Sequence, residues 1–164
     1  MSNQNKIKLL LVDDEIKFLK SIAERLALKN FDVTTASNGE EAIASAEKGL
    51  FDVAVVDFQM PGMDGAQVLK ALKDKHKYLE IIMLTGHATV DSAVECTKLG
   101  AFKYLEKPYA FEKLVEVIKE AYEARLKKKF EHNQKRMEEI QKLSFGQSPL
   151  GILRALADLD NEEK

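Results

Sequence analysis

Cysteine is nearly absent from the sequence, since Cys96 is the only one in 164 residues. An internal disulfide and a cysteine-based zinc site are therefore excluded, and Cys96 is expected to be a small buried hydrophobic residue on a helix. The sequence also lacks any apolar run of the roughly 20 residues that a membrane helix needs. Residues 1–5 are polar and precede too short an apolar run for a signal peptide. These absences predict a cytoplasmic protein that does not associate with membranes.

Neither sign of charge is in large excess. The 25 basic and 27 acidic side chains leave a net charge of -2, which gives the whole molecule no strong attraction to nucleic acids or anionic membranes. Apolar residues make up 45% of the chain, which is enough to build one hydrophobic core. A length of 164 residues fits one domain with an appendage.

Short apolar runs alternate with helical patterns along residues 7–122. The runs have the length and composition of strands that are buried on both faces of a sheet. The predicted strands span residues 7–12, 31–36, 52–56, 81–84 and 102–105. Strands that alternate with helices predict a doubly wound α/β fold, in which right-handed crossovers place helices on both faces of a parallel sheet.

Four of the predicted strands lead directly into side chains that are useful in catalysis or metal binding. Asp13 and Asp14 follow the first strand, and Asp57 follows the third. Thr85 follows the fourth strand and Lys107 comes shortly after the fifth. In doubly wound folds ligands bind outside the carboxyl ends of the strands. Residues far apart in the chain are therefore expected to meet at one site.

Phosphoryl transfer is the chemistry that needs this combination of residues. Three carboxylates at one point repel one another, and Mg²⁺ resolves the repulsion because it prefers oxygen ligands. Lys107 supplies a point charge suited to a phosphoryl oxygen, and the Thr85 hydroxyl can donate a hydrogen bond to another. A carboxylate can itself be the nucleophile. Asp57, alone after its strand, is the natural acceptor, and the adjacent Asp13 and Asp14 suit metal binding.

Four segments of the sequence closely resemble the receiver domain of two-component response regulators. They read L-L-L-V-D-D-E at 9–15, V-V-D-F-Q-M-P-G-M-D-G at 55–65, L-T-G-H at 84–87 and Y-L-E-K-P-Y at 104–109. The resemblance covers residues 6–122 and implies a flavodoxin-like, five-stranded parallel sheet with the strand order 2-1-3-4-5. That order is a property of the family and does not come from the hydropathy pattern.

The resemblance implies that Asp57 accepts a phosphoryl group from a sensor histidine kinase or a phosphotransfer protein. It also implies that Asp13 and Asp14 bind Mg²⁺ together with Asp57 and the backbone carbonyl of Gln59. The protein would then be a phosphorelay response regulator. It would promote only its own phosphorylation and dephosphorylation, and it would not be an enzyme that acts on other substrates.

Residues of the fourth and fifth strands also receive roles from the resemblance. Thr85 is expected to hydrogen-bond the phosphoryl group after a small inward movement, and Lys107 is expected to contact the phosphoryl oxygens. The peptide bond between Lys107 and Pro108 is expected to be cis. Tyr104 matches the aromatic switch residue that turns inward when the threonine moves.

Two other interpretations of the acidic site are weighed against this one. A haloacid-dehalogenase-like phosphatase also uses an aspartyl nucleophile, but such enzymes usually carry Asp-x-Asp after the first strand, where this chain has D-D-E. A binding scaffold that is never phosphorylated is disfavoured by the intact acidic site. Asp64, which precedes a glycine and a helix, is expected to cap that helix. His87, two residues past Thr85, is expected to border the site.

The domain should end near Tyr122, yet residues 121–143 contain neither glycine nor proline. A continuous helix from 110 to 143, about 50 Å long, is therefore predicted. Five side chains in it recur at spacings of four and three, which is the pattern of a short coiled coil. They are Leu126, Phe130, Asn133, Met137 and Ile140. Residues 123–143 are thus predicted to form a homodimer, with Asn133 setting the register.

The same helix carries a run of basic residues, which raises the question of DNA binding. They are Arg125, Lys127, Lys128, Lys129, Lys135 and Arg136. No helix-turn-helix pattern follows them, so they are expected to form a solvated helix face, as is His132. DNA binding is not expected.

Residues 144–164 form the last predicted segment, in which residues 144–149 break the long helix. A short amphipathic helix over 150–159 and an acidic tail follow. This segment is expected to fold back on the long helix, to pack across a dimer or to dock a downstream protein. The sequences of these motifs resemble receivers of the nitrogen-regulator type, whose output modules are ATPases. An ATPase motif such as G-x-x-x-x-G-K is not present in this sequence. The chain is therefore predicted to act by switching protein–protein contacts.

Overall fold

The computed structural model of the protein describes residues 6–86, 89–144 and 149–162. Its strands are β1 (Lys8–Val12), β2 (Asp32–Ala36), β3 (Val53–Asp57), β4 (Glu80–Thr85) and β5 (Lys103–Glu106). Its helices are α1 (Ile16–Leu28), α2 (Gly39–Lys48), α3 (Gly65–Lys75), α4 (Val90–Lys98), α5 (Phe111–Ser144) and α6 (Pro149–Glu162). Strands and helices alternate up to α5, as the hydropathy pattern predicts.

All the strands are parallel and are hydrogen-bonded in the order β2-β1-β3-β4-β5, which confirms the predicted sheet. β3 and β4 are buried along their whole length, as strands covered on both faces must be. The register pairs Val12 with Val56, and Asp57 with Leu84. The carboxyl ends of β1, β3 and β4 therefore lie side by side.

The two faces of the sheet support two separate hydrophobic cores, because successive side chains of a strand point to opposite faces. Leu9 and Leu11 pack on one face with α1 and α5. Leu10 and Val12 pack on the other face with α2, α3 and α4. Cys96 of α4 belongs to the second core, and burial raises the pKa of its thiol to about 11. The prediction that Cys96 is a small buried residue is confirmed.

The long last helix of the prediction is present as α5, which runs without a break for 34 residues. α6 folds back along α5, and the guanidinium of Arg136 contacts the carboxylate of Asp160. Of the three arrangements considered for the C-terminal segment, the structure shows the folded-back one. Within the described residues no helix is both long enough and apolar enough to cross a membrane.

Candidate functional site

One edge of the sheet collects the residues that the sequence analysis selected. Asp57 is the last residue of β3 and Thr85 is the last residue of β4. Asp13 and Asp14 follow β1 directly, and Lys107 follows β5. The interior positions of these strands face the two apolar cores, so polar side chains become possible only where the strands end. The parallel arrangement then places all of these ends at one edge.

Three carboxylates meet at this edge. One oxygen of each of Asp13, Asp14 and Asp57 lies within 4.8 Å of the others. Asp13 and Asp57 are only 2% and 6% exposed, whereas Asp14 is open to solvent. The Asp13 carboxylate also accepts a hydrogen bond of 2.9 Å from the backbone N–H of Glu15. The cluster is therefore buried on one side and accessible on the other, as a site for a small charged ligand must be.

Lys107 is the cation that faces the cluster. Its Nζ lies 3.2 Å from Asp13 and 3.6 Å from Asp57, and 4.8 Å from the centre of the Phe18 ring. Burial lowers the pKa of Lys107, but the charges of Asp13 and Asp57 and the hydrogen bond to Asp13 outweigh burial. The net pKa is therefore raised and the ammonium stays charged. The peptide bond between Lys107 and Pro108 is cis, which confirms the prediction.

A single lysine does not neutralise the cluster. Burial and, next, the charge of Asp13 raise the pKa of Asp57 from 3.8 to about 6, although Lys107 and a backbone N–H act in the opposite direction. That N–H belongs to Gln59 and donates to Asp57 over 3.3 Å. An ionised Asp57 is thus costly in this site without a further positive charge.

Thr85 and Tyr104 lie on the neighbouring strands β4 and β5. Thr85 is fully buried, and its carbonyl accepts a hydrogen bond of 2.6 Å from the backbone N–H of Lys107. Tyr104 is half-buried, and its hydroxyl lies 2.7 Å from Oγ of Ser92 on α4. The edge of its ring packs against Phe58, with ring centres 6.3 Å apart. Tyr104 therefore connects β5 both to α4 and to the residue that follows Asp57.

The turn after β3 is held by the start of α3. Asp64 caps α3 by accepting a hydrogen bond from the N–H of Gln67, and the Gln67 side chain accepts one from the N–H of Asp64. The prediction that Asp64 is a cap is confirmed. A Cβ on Gly65 would lie 2.5 Å from the Cα of Phe58 and 2.6 Å from the carbonyl oxygen of Asp57. Only glycine lets α3 approach the backbone beside Asp57 this closely.

The family model of the response regulator receiver domain matches residues 9–119. The chain belongs to this receiver family. The transcriptional regulator NtrC of Salmonella typhimurium is 36% identical over 111 residues, which are 68% of this chain and 24% of that protein. This receiver chain therefore spans about a quarter of the length of the curated relatives it matches.

Solved receivers have the same fold. A CheY-like receiver of Methanospirillum hungatei superimposes with a TM-score of 0.73 at 29% identity, over 76% of this chain and 99% of the other. The beryllofluoride-activated NtrC4 receiver domain dimer superimposes with a TM-score of 0.68 at 34% identity, over 72% of this chain and 98% of the other. Both comparisons leave about a quarter of this receiver unmatched.

Some contacts in this receiver have no clear signal in the sequence. Phe18 lies under Lys107, and Ser92 hydrogen-bonds Tyr104, but nothing in the spacing of these residues links them. Gly65 was noticeable only as part of a turn motif. His87 lies outside the described residues. The structure brings the side chains of Asp13, Asp14, Asp57 and Lys107 together. Backbone hydrogen bonds link Gln59 to Asp57 and Thr85 to Lys107.

Proposed function

We propose that this receiver accepts a phosphoryl group on Asp57 from a phosphohistidine of a sensor histidine kinase or a phosphotransfer protein. The observation that carries the proposal is the meeting of Asp13, Asp14 and Asp57 within 4.8 Å, with Lys107 in contact. Three carboxylates so close together destabilise a fold, so such a cluster indicates binding or chemistry and not packing. The family to which the chain belongs supports the same function.

The donor atoms at the strand ends fit Mg²⁺. They are carboxylate oxygens, which this hard cation prefers, and the exposed side of Asp14 leaves room for the waters that Mg²⁺ usually keeps. Asp13, Asp14 and Asp57 would hold the ion together with the backbone carbonyl of Gln59. When bound, Mg²⁺ supplies the positive charge that offsets the cluster and the phosphoryl oxygens.

The transfer step uses the ionised form of Asp57. One carboxylate oxygen forms a bond to phosphorus while the P–N bond of the donor breaks. The donor ring, which carries a proton on its other nitrogen, leaves as neutral imidazole with the bonding electron pair. Lys107 then donates a hydrogen bond to one phosphoryl oxygen, and the Thr85 hydroxyl donates to another. Both groups stabilise charge on the phosphoryl oxygens and neither gives up its proton.

Tyr104 is the proposed link from Asp57 to the surface. An inward movement of Thr85 toward the phosphoryl group would leave space that the Tyr104 ring enters. The hydrogen bond between Tyr104 and Ser92 would then break. A bond of this kind contributes only about 1 kcal/mol, so phosphorylation has enough free energy to exchange it. The contacts between β5 and α4 would change as a result, and with them the surface offered to partners.

The C-terminal helices carry the proposed contacts with partners. Phe130 and Met137 remain 62% and 58% exposed on α5 even with α6 folded back. A second copy of this chain, packed along residues 123–143 as a coiled coil, would cover them, and Asn133 would fix the register. The NtrC4 receiver to which this chain is similar is a dimer in its activated form. A downstream protein is proposed to bind in the same region, in the cytoplasm, without DNA.

Labelling with a small phosphodonor tests the main proposal. Wild-type protein incubated with Mg²⁺ and phosphoramidate should gain the mass of one phosphoryl group, while Asp57→Asn should gain none. Asp74→Asn, which changes an exposed acid of α3, is the matched control and should be labelled like wild type. Equal labelling of Asp57→Asn would contradict the assignment. Release of many phosphates per molecule from a phosphate ester would instead support a phosphatase.

Sedimentation velocity tests the proposed dimer separately. At tens of micromolar the protein should sediment as a dimer, and Phe130→Glu should shift it to the monomer because a charge replaces an exposed apolar contact. A wild-type monomer with and without the phosphodonor would count against the coiled coil. That result would leave the assignment of Asp57 intact.

A further inference from the structure

The face of α5 that packs on the sheet continues beyond the point where the receiver is expected to end. The buried residues on this face follow one another at spacings of four and three, and the same spacing extends through the next three turns of the helix. The buried positions are Leu114, Ile118 and Ala121, and the positions that continue the series are Arg125, Lys128 and His132. The core-facing stripe therefore changes from apolar to cationic and keeps its direction.

A buried carboxylate meets this stripe. Glu80 begins β4 and is only 1% exposed, at the opposite end of the strand from Thr85. Its Oε1 accepts a hydrogen bond of 2.6 Å from Nζ of Lys128. The Lys128 side chain is half exposed, so the lysine covers the carboxylate from the solvent side. A buried carboxylate is tolerated only when it is paired, which makes Lys128 part of the fold of the domain.

A second ion pair reinforces the first one turn earlier. Nε of Arg125 lies 3.0 Å from the carboxylate of Asp52, the residue before β3. An Nη of the same guanidinium donates a hydrogen bond of 2.8 Å to the carbonyl of Tyr78. The Arg125 side chain is only 14% exposed. The ring of His132 packs edge-on against Tyr78, with ring centres 5.7 Å apart. The helix therefore contacts the amino-terminal side of the sheet at three successive turns.

Lys73 is a second lysine beside Glu80, but its ammonium already donates hydrogen bonds to backbone carbonyls. Its Nζ donates to the carbonyls of Leu79 over 3.0 Å and Lys77 over 3.3 Å. The pKa of Lys73 is lowered, first by burial and also by the charge of Lys128, while the charge of Glu80 acts in the opposite direction. Lys73 therefore lies near both charges. Of these two lysines, Lys128 makes the direct contact with the Glu80 carboxylate.

We propose that residues 123–132 form a strap that is latched to the amino-terminal ends of β3 and β4 by the pairs Lys128–Glu80 and Arg125–Asp52. The folded receiver unit then ends near His132 and not near Tyr122. The strap keeps the side of α5 that carries Phe130 exposed, and it fixes the direction in which the rest of α5 leaves the domain. This inference does not depend on phosphorylation of the receiver, and its test uses folding and not labelling.

A double-mutant cycle in the full chain tests the latch. Lys128→Met leaves Glu80 buried without its partner and should lower the urea midpoint by about 1 M. Lys129→Met, one position further on the exposed side of the helix, should leave the midpoint unchanged. Adding Glu80→Gln to Lys128→Met should recover at least half of the loss, because no buried charge is left over.

Hydrogen exchange of the wild-type protein provides a readout that does not depend on any variant folding. At concentrations where the wild-type protein is monomeric, the amides of residues 123–132 should exchange as slowly as those of residues 111–121. In Lys128→Met the amides of the strap should lose about tenfold more protection than the amides of residues 111–121 do. Strap amides that exchange as fast as an isolated helix would overturn the proposal. The proposal would also be overturned if Glu80→Gln restored the urea midpoint of Lys73→Met and not that of Lys128→Met.

Discussion

The acidic cluster should make the metal-free protein less stable than a variant without the Asp57 charge. Asp57→Asn keeps the shape of the side chain and removes one of three neighbouring carboxylates. The raised pKa of Asp57, about 6, means that the folded state holds the proton more tightly than the unfolded chain does. Ionisation of Asp57 at neutral pH therefore favours unfolding, and Asp57→Asn should unfold at a higher urea concentration than wild type.

The sign and the size of this stability difference follow from the linkage between protonation of Asp57 and unfolding. As pH rises from 3.8 to about 6, the unfolded state loses its proton first, so wild-type stability falls across this interval and the full penalty is present above it. At about 1.4 kcal/mol for each pKa unit, the ceiling is about 3 kcal/mol. The amide cannot accept from the Gln59 N–H or pair with Lys107 as well as the carboxylate does. The expected gain is therefore about 1–2 kcal/mol.

Urea unfolding followed by far-ultraviolet circular dichroism, in buffer with a chelator, measures this difference. Asp57→Asn should have the higher midpoint above about pH 7, and the advantage should disappear near pH 4. Saturating Mg²⁺ should narrow the gap, because it binds the wild-type folded state more tightly than the variant. Asp74→Asn should behave like wild type. An Asp57→Asn protein that is equally stable or less stable at neutral pH without metal would refute the reasoning.

Three further predictions concern the surroundings of Asp57. Gly65→Ala should lower the free energy of unfolding by about 1–3 kcal/mol in thermal melts, because the added Cβ would lie 2.5 Å from the Cα of Phe58. A variant of normal stability would show that α3 can move away from this backbone. Tyr104→Phe should cost about 1 kcal/mol, and Ser92→Ala should cost more because its hydroxyl also accepts a hydrogen bond from the N–H of Thr89 and so caps α4. The double variant should cost little more than Ser92→Ala alone, and additive losses would show that the hydrogen bond between Tyr104 and Ser92 is not formed. Lys107→Met should raise the pKa of Asp57 above about 6 in a carboxyl titration by NMR, because the lysine charge lowers it, and an unchanged pKa would contradict the contact.

The fold and the centre of the site were predictable because they depend on simple periodicities. Apolar runs of strand length that alternate with amphipathic helices allow few arrangements, and a parallel sheet brings its strand ends together. The positions of Asp57 and Lys107 relative to one another also require the strand order, which the resemblance to receiver domains supplied. The contacts of Phe18 with Lys107 and of Ser92 with Tyr104 depend on how helices sit against the sheet. Hydropathy does not encode that information.

The extension shows where hydropathy was misleading. The expectation that its basic residues and His132 form a solvated face is wrong for Arg125, whose side chain is only 14% exposed and pairs with Asp52. Lys128 is half exposed as expected but also pairs with the buried Glu80, and His132 packs on Tyr78. A search for apolar stripes selects the exposed side of this helix and overlooks the cationic side that contacts the domain. One residue did signal a contact with a cation: Glu80 is an acid at the start of a strand whose other residues are buried.

The two ends of β3 and β4 constrain how an output could work. β3 carries Asp57 at its carboxyl end and follows Asp52, while β4 carries Thr85 at one end and Glu80 at the other. The same two strands thus hold the proposed phosphorylation site and both acids that pair with the strap. A coiled coil along the exposed side of residues 123–143 would take its orientation from the sheet itself. Tilting α5 would break two ion pairs, so a signal passed from Tyr104 through α4 is expected to change contacts with partners without reorienting α5.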